Sequence, residues 1–244
     1  SDQYCSLTPT QASLYQSVVD RKMELLNQGE MDPAARRALV LSMIQNLKAV
    51  CNSPAQYSQN NGSYNPADSG KVERLLELLE DVMATKDSKV LIFTQSVIMG
   101  KLLQPIIADK FGHTPQFLHG GLSPQDRASM VDRFQHDAKE RIMLLSLRAA
   151  GTGLNLTAAN TVIHFDLWWN PAVENQATDR AFRIGQKRKV SVYRFICAHT
   201  FEERINAMIN SKRDLADMAV VTGENWIGNL SNRQLNDLFS LHED

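Results

Sequence analysis

Between residues 89 and 196 five short apolar runs alternate with helical stretches: 89-KVLIFT-94, 115-PQFLH-119, 141-RIMLLSL-147, 161-TVIHFD-166 and 190-VSVYRFI-196. No other feature of the chain constrains its fold as much. The runs are mostly apolar throughout, several are rich in β-branched residues, and none shows a clean in-out alternation, which predicts strands covered on both faces. Strand-helix alternation then predicts right-handed βαβ units around a mostly parallel sheet, an α/β fold. In such a sheet ligands gather beyond the carboxyl ends of the strands.

The flanks are helical. Thr8-Pro9-Thr10-Gln11 is a capping box with proline at the first helical position, and Leu14, Val18, Val19, Met23 and Leu26 follow at helical spacing. Asp32-Pro33 starts a second helix that runs to about Asn52-Ser53-Pro54. Residues 55–68 change to Gln, Asn, Ser, Gly and Tyr and read as a weakly ordered loop; 70–85 return to helix, and the chain is helical again from Phe201. The expected organisation is a helical lead-in over 1–54, a flexible loop over 55–68, an α/β lobe over 69–200, and C-terminal helices over 201–244 packing on the lobe. A chain of 244 residues has room for one large core with helical additions or for two small domains. It opens on Ser1, which reads as an excised fragment or a processed chain.

Composition narrows the function classes. Net charge is −1 and the isoelectric point about 6.6, so overall basicity does not mark a nucleic-acid binder. Residues 180–194, however, hold six basic side chains and no acidic one, so any polyanion site is local. Cys5, Cys51 and Cys197 form no CxxC pair, which argues against structural zinc and a disulfide scaffold and for a reducing intracellular compartment. No apolar run approaches the ~18 residues of a membrane span.

The loops after the strands are Thr94-Gln95-Ser96, His119-Gly120-Gly121, Arg148 to Asn155 and Asp166 to Pro171. In 148-RAAGTGLNL-156, Gly151 and Gly153 bracket Thr152; the pattern suits either an ordinary turn or backbone amides approaching an anion. Ser123-Pro124 reads as a helix cap and His164 as a core histidine. Asn170-Pro171 starts a helix predicted to run to Gly185. On it Gln176, Arg180 and Arg183 share one face, with Val173, Ala177, Ala181 and Ile184 on the neighbouring apolar stripe. Two readings stand: a solvated face with the arginines paired to carboxylates such as Asp179, or a pair of guanidinium forks for phosphate. All the candidate loops are expected on one sheet edge. Of Trp168-Trp169, one is expected in the core and one outside, against a neighbouring helix or a nucleic acid.

Taken together these stretches resemble the C-terminal half of the Snf2-type (SWI2/SNF2) ATPases of helicase superfamily 2, most like the bacterial members, over nearly the whole chain. The residues that carry the resemblance are 6-SLTPTQASLY-15, 47-LKAVCNSP-54, 69-SGKVERLLELL-79, 90-VLIFTQ-95, 118-LHGGLSPQDRASMVDRF-134, 145-LSLRAAGTGLNLTAANTVIHFD-166 and 176-QATDRAFRIGQ-186. Ser53 and Ala150 depart from the residues usual there, histidine and glycine. The resemblance implies the second RecA-like lobe of a motor that moves along double-stranded DNA. It implies Arg180 and Arg183 as arginine fingers, Gln176 with Gly151 and Gly153 as residues that contact ATP or couple it to DNA, and Thr94, Gly120, Thr152 and Trp169 as DNA contacts. Implied partners are double-stranded DNA, the first RecA-like lobe of the same chain and a protein-DNA complex to be remodelled; the implied setting is cytoplasm or nucleoid in a bacterium, nucleus in a eukaryote.

The sequence also lacks things. No GxxxxGK[ST] phosphate loop occurs, and no Asp-Glu pair follows an apolar strand. ATP and Mg2+ are therefore expected to be held mainly by the first lobe, with no metal ligands here, and this stretch alone is expected not to hydrolyse ATP. A strand-separating helicase lobe and a non-catalytic DNA- or protein-binding module are the alternatives.

Overall fold

The computed structural model describes residues 1–59, 65–146, 153–211 and 227–242. They fall into two compact units, Ser1–Gln3 with Lys71–Ile196, and Tyr4–Gly70 with Cys197–Asp244.

The first unit is built on a six-stranded sheet. Its strands are β1 (Asp2–Cys5), β2 (Val90–Thr94), β3 (Gln116–Leu118), β4 (Ile142–Ser146), β5 (Thr161–His164) and β6 (Ser191–Cys197), in the spatial order β1-β6-β5-β2-β4-β3. All neighbours run parallel, so the expected parallel sheet is present, as are all five anticipated strands. β1 was not anticipated. It is a four-residue edge strand, DQYC, held where Arg194 N–H donates to Ser1 C=O at 3.0 Å and Ala198 N–H to Cys5 C=O at 2.9 Å. Every residue of β2, β3, β4 and β5 is buried, as continuous apolarity demands when both faces are covered.

Helices α4 (Gly70–Ala84), α5 (Val97–Phe111), α6 (Pro124–His136) and α7 (Pro171–Thr178) belong to this unit. Two of them, α6 and α7, start at the caps read from the sequence, and α5 starts at Ser96, which the reading placed only in a strand-end loop. Ser96 accepts from Met99 N–H at 3.0 Å, Ser123 from Asp126 N–H at 3.1 Å, and Asn170 from Ala172 N–H at 3.0 Å. A core of Leu91, Phe93, Leu118, Phe134, Met143 and Leu145 continues to Leu156, Val162, Ala177 and Ala181, with Trp168 packed on it. Trp168 is thus the inward tryptophan, and Trp169 is half-buried. Gly100 lets α5 lie flat on β3, since a Cβ there would sit 2.2 Å from the Phe117 ring. Lys89 is fixed to the end of α6, its ammonium donating to the carbonyls of Phe134 and Asp137, the latter at 2.7 Å.

The second unit is helical. α1 (Pro9–Asn27) carries the full capping box, Thr8 and Gln11 bonding reciprocally at 3.1 Å, and α2 (Pro33–Asn52) ends where expected. α3 (Pro54–Ser58) is a short helix inside the stretch read as a loop; residues 60–64 of that stretch lie outside the described residues. α8 (Phe201–Ser211) and α9 (Asn232–Phe239) join them. Tyr15 stacks on Phe201 and accepts its N–H at 3.1 Å, and Phe201 packs on Phe239. Arg36 ties α2 to the Gly228 carbonyl at 2.9 Å, while Arg204 binds the Leu238 and Ser240 carbonyls at 2.6 and 2.7 Å. No helix among the described residues is long and apolar enough to cross a membrane.

Candidate functional site

The chain leaves β2 toward β3 and β4, and leaves β5 toward β6, so the loops after these two adjacent strands diverge. This is the topological switch point of the sheet, where a crevice is expected. One carboxylate bridges the two loops: Thr94 Oγ1 donates to Asp166 Oδ2 at 2.6 Å and Gln95 N–H donates to Asp166 Oδ1 at 2.8 Å. The Gln95 carboxamide donates to the Leu167 carbonyl, and Ser96 N–H donates to Thr94 Oγ1 at 3.2 Å. Thr94 is accordingly 0% exposed and its hydroxyl is occupied on both sides. Next to it His164 stacks on Phe93 and contacts Thr178 Oγ1 at 3.0 Å through Nε2. Burial, reinforced by the charge of Arg194, pulls its pKa from 6.5 to about 4, so it is a neutral core residue, as expected.

At the next strand end, His119 Nδ1 accepts from Gly121 N–H at 3.2 Å and Arg127 donates to the Gly120 carbonyl at 3.1 Å. Space beside the Gly120 Cα is open. Gly151 and Thr152 lie outside the described residues; Gly153 has φ +64°, a conformation that favours glycine.

The arginines differ from the expectation. α7 stops at Thr178 with Asp179 as its cap, and residues 179–185 form a succession of turns. Helical spacing does not apply to Arg180 and Arg183. Ala177 and Ala181 are buried as the stripe required, but Phe182 is 51% and Ile184 101% exposed. The cause lies in the sequence's own competitors to helix: Thr178-Asp179 offers local side-chain bonding, and Gly185 takes φ +105°. The turn is tied instead to the strand-connecting segment beside it. Leu156 N–H donates to the Arg180 carbonyl at 3.1 Å, and Arg183 Nη1 donates to the Gly153 carbonyl at 3.0 Å. Gln186 donates to the carbonyls of Thr157 and Ala159, and Arg188 to that of Asp87 at 2.6 Å. These acceptors lead into the amino ends of β5 and β2, whereas β2, β3, β4 and β5 run parallel, so the loops that follow them start from one edge of the sheet, as expected.

Among the described residues neither Arg180 nor Arg183 forms an ion pair with a carboxylate, Asp179 included, which removes the support for a solvated salt-bridged face. Arg180 is 7% exposed, and its Nε has no hydrogen-bond partner among them. Burial and then the like charge of Arg183 lower its pKa from the usual value. A buried, unfilled guanidinium donor next to a second guanidinium is a site that suits an anion. Gln176 is exposed on α7. The start of α7 is anchored by Glu174, whose carboxylate pairs with Arg194 at 2.8 Å while Arg194 also holds Asp2 at 2.8 Å. Burial raises the pKa of Glu174 against the opposing pull of Arg194.

In the helical unit Cys51, Cys197 and Glu202 bring their donor atoms within 4.8 Å of one another, all buried. Cys197 and Glu202 already bond backbone groups. Two thiols and one carboxylate fall short of the four ligands of a closed zinc site, and the set does not suit magnesium, which takes oxygen ligands.

Residues 70–185 match the helicase conserved C-terminal domain. YwqA of Bacillus subtilis (strain 168), named as a candidate ATP-dependent helicase/translocase, is 45% identical over 240 residues, 98% of this chain and 26% of that protein. An ATP-dependent helicase of Mycoplasma pneumoniae, otherwise uncharacterised, is 35% identical over 98% of this chain and 22% of its own length, so the chain spans about a quarter of the curated relatives it matches. The Sulfolobus solfataricus SWI2/SNF2 ATPase core in complex with dsDNA superposes with TM-score 0.88 at 36% identity, covering 100% of this chain and 50% of that one. The separate C-terminal domain of the S. solfataricus SWI2/SNF2 ATPase gives TM-score 0.83 at 33% identity, with 100% of this chain and 98% of that one covered. The chain belongs to the SWI2/SNF2 family of ATPases and is its helicase C-terminal lobe.

Proposed function

We propose that this chain is the second motor lobe of an ATPase that translocates on double-stranded DNA and remodels protein-DNA complexes, completing with Arg180 and Arg183 an ATP site whose phosphate cradle belongs to a first lobe. The observation that carries the reading is the pair of arginines without carboxylate partners among the described residues, one with a buried donor unfilled among them, on a turn tied to the Gly153–Leu156 segment.

Mg2+-ATP would supply the transferable phosphoryl group. This chain's part is to bring positive charge to oxygens that gain negative charge as the bond breaks. An inserted guanidinium can accelerate such a step by about 10³- to 10⁵-fold. Arg183, half-buried and bonded among the described residues to the Gly153 carbonyl, can exchange that acceptor for a phosphate oxygen; Arg180, anchored through its own carbonyl, supplies the second charge. Gln176, exposed on the same helix-turn segment, would couple the nucleotide to the DNA side together with Gly151, with Gly153 leaving room for the approach.

DNA would be gripped through Gly120, Thr152, Trp169 and the loop of Thr94. Thr94 would give up its bond to Asp166 in order to reach a phosphate. Contacts of this kind carry little sequence information, as movement along DNA requires. Without the first lobe the chain is expected to bind ATP weakly and not to turn it over.

The test is ATP hydrolysis by a protein carrying both lobes, with and without double-stranded DNA, beside a strand-displacement assay. DNA-stimulated turnover without strand separation supports the proposal. Robust unwinding assigns the lobe to a strand-separating helicase, and turnover indifferent to DNA and to Arg183 assigns it to a binding module.

A further inference from the structure

We propose that Gln186 is a positioning residue that holds the arginine turn in register with the segment leading into β5, an inference that rests on the arginine reading above. Its Nε2 carries two protons and faces three carbonyl oxygens, those of Thr157 at 3.0 Å, Ala159 at 2.8 Å and Ala181 at 2.8 Å. Its Oε1 accepts from Arg188 N–H at 2.9 Å, and its own N–H donates to the Arg183 carbonyl at 3.0 Å. One residue thus fastens both the residue after Arg180 and Arg183 itself to backbone on a different connection of the sheet.

The need for such a fastening follows from where α7 ends. Beyond Thr178 no helical ladder carries the chain, Gly185 adds a left-handed residue, and Phe182 and Ile184 face outward. Buried Ala181 and the two bonds through Arg180 and Arg183 leave the far end of the turn to Gln186. The chemistry of the site selects an amide. A carboxylate would turn oxygens toward three carbonyls, an aliphatic chain would leave them unpaired, and an ammonium could not accept from Arg188.

The experiment uses a protein carrying both lobes, with Gln186→Glu and Gln186→Leu, each alone and combined with Arg183→Ala. Turnover with saturating double-stranded DNA should fall about 10- to 100-fold, the loss that misplacement of a reacting group by an ångström produces. KM for ATP should move by no more than roughly threefold, because the fastening acts on the chemical step. Hydrogen exchange of the 179–185 amides should accelerate while β2, β4 and β5 keep their protection. In the Arg183→Ala background Gln186→Glu should cost no more than about twofold further, since both changes remove one device.

Unchanged exchange over 179–185, or a full additional loss on top of Arg183→Ala, overturns the inference. If Arg183→Ala alone turns over at the normal rate, the arginine reading fails, and the exchange measurement still decides whether Gln186 holds the turn. Should Gln186→Glu fail to fold, Gln186→Leu, which introduces no charge, is read by the same criteria.

Discussion

The loops after β2 and β5 commit their polar groups to each other, while the turn from Asp179 to Gly185 leaves much of its own open. At the first, Asp166 accepts from Thr94 at 2.6 Å and from Gln95 at 2.8 Å, with Thr94 and Asp166 buried and Gln95 half-buried. At the second, among the described residues the Arg183 side chain has one backbone acceptor and Arg180 an unfilled donor, and Ile184 is fully exposed. Both belong to one unit and both adjoin strand connections. The difference teaches that neighbouring strand-end loops can satisfy each other through one carboxylate, while the unfilled donor among the described residues lies on the turn beside them.

The comparison is broken most severely at Asp166. Asp166→Ala strips the acceptor from the buried Thr94 hydroxyl and the half-buried Gln95 N–H and is expected to cost roughly 3 kcal/mol. Urea denaturation should show the midpoint falling with the slope unchanged. A loss confined to turnover would mean that Asp166 serves the site and not the fold.

His164 offers a pH probe of the same buried side. Its pKa in the folded protein is about 4 against an unperturbed 6.5, so the unfolded chain takes up a proton that the folded one refuses. Stability should therefore be full above pH 6.5 and decline as pH falls toward 4, by roughly 3 kcal/mol from this group at pH 4. His164→Gln should flatten that part of the melting profile; an unchanged profile would show that the imidazole is not held neutral by burial.

A smaller effect is expected at the cap that follows. Ser96→Ala removes the acceptor for Met99 N–H and should cost about 1 kcal/mol, seen as a lower melting midpoint. At the exposed end of the series, Ile184→Ser should change stability by less than about 0.5 kcal/mol. A marked loss there would mean that the turn supports the fold.

The same contrast explains what could be read in advance. Continuous apolar runs such as 89-KVLIFT-94 marked the strands because a strand buried on both faces has few polar positions, and Thr8, Asp32, Ser123 and Asn170 marked helix starts because their side chains bond the first amides. β1 escaped because 2-DQYC-5 carries no such pattern; its pairing is backbone bonding at a sheet edge. The arginine turn was misread as helix because Ala177, Ala181 and Ile184 do fall at helical spacing, and two of the three are buried without a helix to place them. Asp166 and Gln186 were quoted inside motifs without roles, since their partners lie 71 or 72 and 27 to 29 residues away, separations that no local pattern encodes.

The account rests on Arg183 acting in chemistry and not in the fold, and the most direct measurement takes both quantities from one variant. In a protein carrying both lobes, Arg183→Ala should lower DNA-stimulated ATP turnover by at least ~10²-fold. Its melting midpoint should stay within about 2 °C of the unmodified protein, as expected for one weakly held surface bond. Turnover that survives the change, or a loss that merely follows unfolding, would contradict it.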